Sequence, residues 1–127
     1  MKTVIAGSRD ITDYNLVKTA IEDSGFVISE VVCGKSRGVD SLGELWAKNN
    51  NIPVKEFPAK WNDIKEGGPV KLNKFGKPYN PAAGFDRNEE MAKWAEALIS
   101  VHNGSNGSAH MLKMAKKYGL KVYEVKV

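Results

Sequence analysis

The stretch from Ala83 to Ser108, AGFDRNEEMAKWAEALISVHNGSNGS, limits the folds open to this chain more than any other. Asp86 is a good N-cap, and Met91, Trp94 and Ala95, with Leu98 next in phase, predict an amphipathic helix after it. The run Ala97 to Val101 is apolar apart from Ser100 and too short for a helix, which predicts a strand buried on both faces. A glycine-serine loop follows, and Ser108 stands where it can cap a further helix through His110, Leu112, Ala115 and Lys116. A strand feeding a glycine-rich turn at a helix N-terminus presents free backbone N–H groups and the positive end of a helix dipole. Such a turn accepts an anion, most often a phosphate.

The preceding chain repeats this alternation. Lys2 to Ala6 is a short β-rich run ending in Gly7-Ser8-Arg9-Asp10. Thr12 or Asp13 can cap a helix with the stripe Leu16, Val17, Ala20 and Ile21, closing near Gly25. Ser29 to Cys33 reads as the second strand, and the turn Gly34 to Asp40 leads to a helix with Leu42, Leu45 and Trp46 on one face. Asn49, Asn50 and Asn51 end it, and Pro53 to Phe57 is the third strand. An irregular segment, Pro58 to Gly84, then holds Pro69, Pro78, Gly67, Gly68 and Gly76, the composition of a lid or wall over the pocket, with Lys60, Trp61 or Lys77 expected to reach toward the ligand. Leu120 to Val125 is the last strand.

Strands separated by helices of about 10 to 14 residues imply right-handed crossovers and a parallel sheet covered on both faces. The expected fold is α/β: a three-layer Rossmann-like domain over residues 1–127, with a long loop at about 58–84 and a parallel sheet of about five strands in the order 3-2-1-4-5. Val4, Ile5, Val31, Val32, Leu98, Ile99 and Val122 should be buried. In such sheets ligands bind beyond the carboxyl ends of the strands, where strand order reverses. The loops Gly7–Arg9, Gly34–Gly38 and Asn103–Ser108 all leave carboxyl ends, so they should converge on one edge.

Other chemistries are poorly served. Gly34-Lys35-Ser36 resembles the tail of a P-loop, but Ser29 stands where that motif needs its first glycine. The first turn does not read Gly-x-Gly-x-x-Gly, so no dinucleotide fingerprint is present. His102 and His110 flank the glycine-serine loop without a metal-binding pattern, and neither a metal nor a cofactor is expected. The single cysteine, Cys33, sits in an apolar run and reads as a buried small hydrophobe. No stretch is long and apolar enough to span a bilayer and no leader pattern opens the chain, so a cytoplasmic protein without a membrane partner is expected. The net charge of +4 permits anionic ligands without demanding nucleic acid.

Three segments together resemble the SLOG superfamily, which groups the Rossmann-like domain of DNA-processing protein A (Smf) with the LOG phosphoribohydrolases. VIAGSRDITDYN is similar to its opening Gly-Ser-Arg strand and turn. VVCGKSRGVDSLGELWA resembles its Gly-x-x-x-Gly-hydrophobic-Asp turn, and AGFDRNEEMAKWAEALISVHNGSNGSAHMLKMAKKYGLKVYEV its Arg-Asn turn, strand and Ser-Gly-Ser loop. The small stand-alone YspA-like branch is the most similar. The resemblance implies a nucleotide-type ligand held by Gly7, Ser8, Arg9, Gly34, Arg37, Gly38, Asp40, Arg87, Asn88, Gly104, Gly107 and Ser108, and the glycine-serine loop adds Asn103 and Ser105 to the expected site. The chain departs from the LOG enzymes at their catalytic glutamate, whose position falls on His110 or Met111. Glu90, three residues after Arg87 and on the same helical face, is the substitute carboxylate.

Three functions are weighed from these residues. The first is a small binding protein for a nucleoside-phosphate or ADP-ribose-like ligand, acting as sensor or sequestering protein of a signal nucleotide. The second is a nucleotide N-glycosidic hydrolase with Arg87 on the phosphate and Glu90 as acid/base. The third is a single-stranded nucleic-acid binder using lysines with Trp61, Phe75 and Tyr79. A homo-oligomer is also expected, with Trp46 or Trp94 facing the partner wherever its own core leaves it uncovered.

Overall fold

A computed structural model describes residues 1–64 and 66–127. In chain order the elements are β1 (Lys2–Gly7), α1 (Tyr14–Ser24), β2 (Glu30–Cys33), α2 (Val39–Asn49), β3 (Val54–Glu56), β4 (Lys71–Leu72), β5 (Pro78–Tyr79), α3 (Ala83–Trp94), β6 (Ala97–His102), α4 (Asn106–Lys117) and β7 (Lys121–Lys126). The main sheet has five parallel strands in the order β3-β2-β1-β6-β7. This is the expected 3-2-1-4-5 order, with β6 and β7 as its fourth and fifth strands. β4 and β5 form a separate antiparallel hairpin inside the long segment after β3.

Alternation along the central strands builds the two cores. Ile5, Val31 and Ile99 point to the face covered by α1 and α2, where Val17, Ala20, Ile21, Val39 and Ala47 meet them. Val4, Val32 and Leu98 point to the opposite face, against Met91, Ala92, Met111, Met114 and Ala115 of α3 and α4. Every residue of β6 is buried, as its unbroken apolar run requires. The pairing of Val4 with Leu98 and of Ile5 with Ile99 sets β1 and β6 side by side at the centre.

Local signals explain most boundaries. The Asp13 carboxylate accepts from the N–H groups of Asn15 and Leu16, and Gly25 closes α1 in the left-handed conformation at φ 69°. Four expectations are corrected. Val122 is 36% exposed, because β7 is an edge strand and its inward residues are Tyr123 and Val125. Leu45 is exposed, because α2 turns Val39, Gly43 and Ala47 to the sheet instead. Asp86 is not an N-cap: α3 begins at Ala83, stapled by the Asn80 side chain, which accepts from the Ala82 N–H. Ser108 lies inside the first turn of α4, and Ser105 occupies the N-cap position.

Among the described residues no helix is long and apolar enough to cross a membrane. Cys33 is buried and its thiol is pushed up to about 11 by desolvation, so it stays protonated and inert. Trp94 is 39% exposed, yet its ring is dressed by its own chain. The Lys2 ammonium lies 4.0 Å from its centroid, and its indole N–H donates to Glu30 at 2.7 Å.

Candidate functional site

The carboxyl ends of β1, β2 and β6 open onto a cavity of about 480 Å³, at the point where strand order reverses between β1 and β6. Of the sequence-predicted residues, Gly7, Ser8, Arg9, Arg37, Asp40, Arg87, Asn88, Asn103, Ser105, Gly107 and Ser108 line it. Gly34, Gly38 and Gly104 do not. Gly34 and Gly38 act one layer behind the wall. A Cβ on Gly34 would stand 2.8 Å from Arg87 Nη1 and 2.9 Å from Asp40 Oδ2, so only glycine leaves room for both charged groups beside it. Gly38 has φ 77° and packs on the backbone of Ser8 and Arg9, which ties the second glycine loop to the first.

The floor is a chain of hydroxyls and amides. Ser8 Oγ donates to Asn103 Oδ1 at 2.8 Å and accepts from the Asn103 N–H at 3.0 Å. Ser105 Oγ donates to Ser108 Oγ at 2.8 Å and also lies 3.3 Å from Ser8 Oγ. Asp10 holds the far end, accepting from the Asn103 amide at 3.0 Å. Because the Ser105 side chain is engaged sideways, it caps no N–H of α4. The first-turn donors of that helix are therefore not satisfied by a side-chain cap, and Ser105, Gly107 and Ser108 face the cavity.

Charge in the cavity centres on Arg87 and Asp40, both buried. Arg87 donates through Nη1 to the Gly34 carbonyl and through Nε to Asn88 Oδ1 at 3.2 Å. Desolvation pulls its pKa down, against the attraction of Asp40, and Arg9 adds to the lowering. Asp40 is pushed up to about 6 by burial, although Arg87, the Ser36 and Gly7 N–H groups and Arg9 all favour its ionised form. Arg9 and Arg37 are exposed at the rim. Arg87 lies within α3, a full turn past its start, so its charge does not sit at the helix terminus as the sequence suggested.

Glu90 is exposed and turned away. It lines a smaller cavity of about 80 Å³ with Lys60, Asp63 and Asp86, which Arg87 also borders. The expected shared face of Arg87 and Glu90 exists, but it is not the face that meets the glycine loops. His102 is buried under the glycine-serine loop, where Nδ1 accepts from the Gly104 N–H at 3.0 Å and Nε2 meets Glu124 at 2.5 Å. His110 stacks on Phe85 at 4.1 Å, and its pKa is lowered by burial and by Lys113. Among the described residues, no three His, Cys, Asp or Glu side chains gather to hold a metal ion.

Sequence reasoning missed the apolar wall: Pro81, Phe85, Met91 and Met111. These read as loop or core positions, and only the fold turns them toward the cavity. Trp61 of the long segment also lines it, whereas Lys60 faces the smaller cavity.

A parallel α/β sheet with glycine loops and a polar, arginine-rimmed cavity at its switch point defines a Rossmann-like class of fold. Residues 1–63 match the family model described as "YspA, cpYpsA-related SLOG family". Over these residues the chain belongs to the SLOG superfamily. Among solved structures it is similar to DNA processing protein A (DprA) from Streptococcus pneumoniae, at 19% sequence identity and a TM-score of 0.69. The similarity covers 97% of this chain and 49% of that one, so the chain spans about half the length of that protein. At this identity the likeness speaks for the fold alone. No curated protein matches the chain.

Proposed function

We propose that the cavity binds a nucleoside-phosphate or ADP-ribose-like ligand, and that the protein senses or sequesters a signal nucleotide. One observation carries this reading: three arginines, Arg9, Arg37 and Arg87, surround a floor of serine hydroxyls at the uncapped N-terminus of α4. Guanidinium groups and first-turn N–H donors both favour phosphate oxygens. A volume of about 480 Å³ falls among small-molecule sites, and the wall of Trp61, Phe85, Met91 and Met111 suits an apolar ring. The ionised Asp40 carboxylate is an acceptor for ribose hydroxyls.

Binding without turnover is favoured over N-glycosidic hydrolysis by the position of Glu90, outside this cavity. Met111, one of the two residues at the hydrolases' glutamate position, contributes a thioether to the wall in place of a carboxylate. Thermal shift across nucleotides and ADP-ribose derivatives tests the reading. A ligand at 100 times its Kd raises stability by about 2.7 kcal/mol, and chromatography of the mixture should recover the ligand intact. Release of free base from a nucleoside monophosphate would replace the binding reading with the hydrolase one. A loss of affinity along the steep salt slope of polyanion binding, with oligonucleotides preferred to mononucleotides, would replace it with nucleic-acid binding.

A further inference from the structure

Among the described residues, the segment between β3 and α3 meets the cavity through Trp61 and Pro81, and contacts on several sides hold the indole there. The turn that carries it is pinned by Asn80, itself buried. The Asn80 N–H donates to the Trp61 carbonyl at 2.6 Å, its side-chain amide donates to the Asp63 carbonyl at 3.1 Å, and its Oδ1 accepts from the Ala82 N–H just ahead of α3. Tyr79 meets the indole edge-on, with ring centroids 6.4 Å apart and planes inclined at 63°. The far end of the ring rests over Gly84, where a Cβ would stand 3.2 Å from Trp61 Cη2. A side chain at position 84 would therefore lift the ring. Despite these supports, Trp61 keeps 39% of its surface exposed. An indole braced at one edge, resting on a glycine and open toward an arginine-lined cavity has the form of a stacking platform.

We infer that Trp61 is the base-recognition element of this site, stacking on the planar ring of the bound nucleotide while the arginines and α4 hold its phosphate. The inference rests on the nucleotide reading above and adds its specificity: ligands with an aromatic base are selected over sugar phosphates without one. Stacking accepts any base, so discrimination among bases is not expected from this contact.

The test compares nucleoside 5′-monophosphates and ADP-ribose with ribose 5-phosphate, by calorimetry on wild type, Trp61→Ala, Trp61→Phe and Gly84→Ala. Trp61→Ala should weaken the base-bearing ligands by between about fivefold and a hundredfold, the span of one base–aromatic stack, and leave ribose 5-phosphate unchanged. Trp61→Phe should recover most of the loss, and Gly84→Ala should reproduce part of it without touching Trp61. In a Trp46→Phe/Trp94→Phe background, the fluorescence of Trp61 should be quenched by the nucleotides and not by ribose 5-phosphate. Wild type that binds nucleotides while Trp61→Ala loses nothing, or loses both ligand types equally, overturns the stacking role and leaves the site reading standing. A selective loss in Phe85→Ala in place of Trp61→Ala also overturns it. Wild type that binds neither ligand type overturns the nucleotide reading itself.

Discussion

Arg87 and Asp40 flank Gly34 in a buried setting, and their coupling has consequences for stability as well as for binding. Desolvation holds the Asp40 carboxyl at about 6 in the folded state, against 3.8 for the free group, so the folded protein binds the extra proton between those values. Stability contributed by this residue is therefore greatest below pH 3.8, falls as pH rises, and levels off above about 6. Urea midpoints measured at about pH 4.5 and about pH 7.5 should show Asp40→Asn gaining on wild type at the higher pH; a constant difference would contradict the assignment. Arg87→Ala removes both the countercharge and the donor to the Gly34 carbonyl. It should cost about 1–3 kcal/mol, as expected for a buried acceptor left unmade, and Asp40→Asn in the same chain should recover part of that. Additive losses in the double variant would mean that the two groups do not interact.

At the scale of elements, the uncapped start of α4 is the feature that links stability to function. Ser105 occupies the N-cap position, yet its hydroxyl turns to Ser108 and Ser8 instead of to the helix N–H groups. Ser105→Asp should supply the missing acceptor, raising stability by as much as about 0.5–2 kcal/mol in denaturant unfolding. The same carboxylate would face the phosphate, and affinity should fall by roughly tenfold or more, since like charges brought together cost several kcal/mol. A variant that gains stability and keeps its affinity would remove α4 from the proposed anion site. At α2 a different constraint operates. A Cβ on Gly43 would lie 2.6 Å from Ile5 Cγ2, so Gly43→Ala should push the helix from the sheet and cost about 1–3 kcal/mol.

Across the whole molecule, the sheet order was legible because its signals are short-range: β-branched runs, caps such as Asp13 and Gly25, and turns at regular spacing. β6 could be placed at the centre because a run apolar on both faces has no stable place at an edge. Val122 was misplaced for the complementary reason. A strand read alone does not say which of its faces a neighbouring layer covers. In the same way the glycine loops and the approach of Trp61 were legible, whereas the wall of Pro81, Phe85, Met91 and Met111 was not, since it depends on how the long segment folds back on α3 and how α3 and α4 are turned. Arg87 and Glu90 show the limit of helical periodicity: it put them on one face and could not say which cavity that face would meet. We propose that this edge of the sheet is a phosphate-anchored nucleotide site. Arg9 and Arg37 are exposed and, among the described residues, their side chains form no hydrogen bond or salt bridge, so they can be removed together with little effect on stability. Calorimetric titration of wild type and of Arg9→Ala/Arg37→Ala with ADP-ribose and nucleoside monophosphates, at one fixed salt concentration, is the most direct test. Wild type should bind saturably at one site per chain, and the double variant should lose about tenfold or more in affinity at unchanged melting temperature. Wild type that binds none of these ligands, or a double variant that binds them as tightly as wild type, would contradict it.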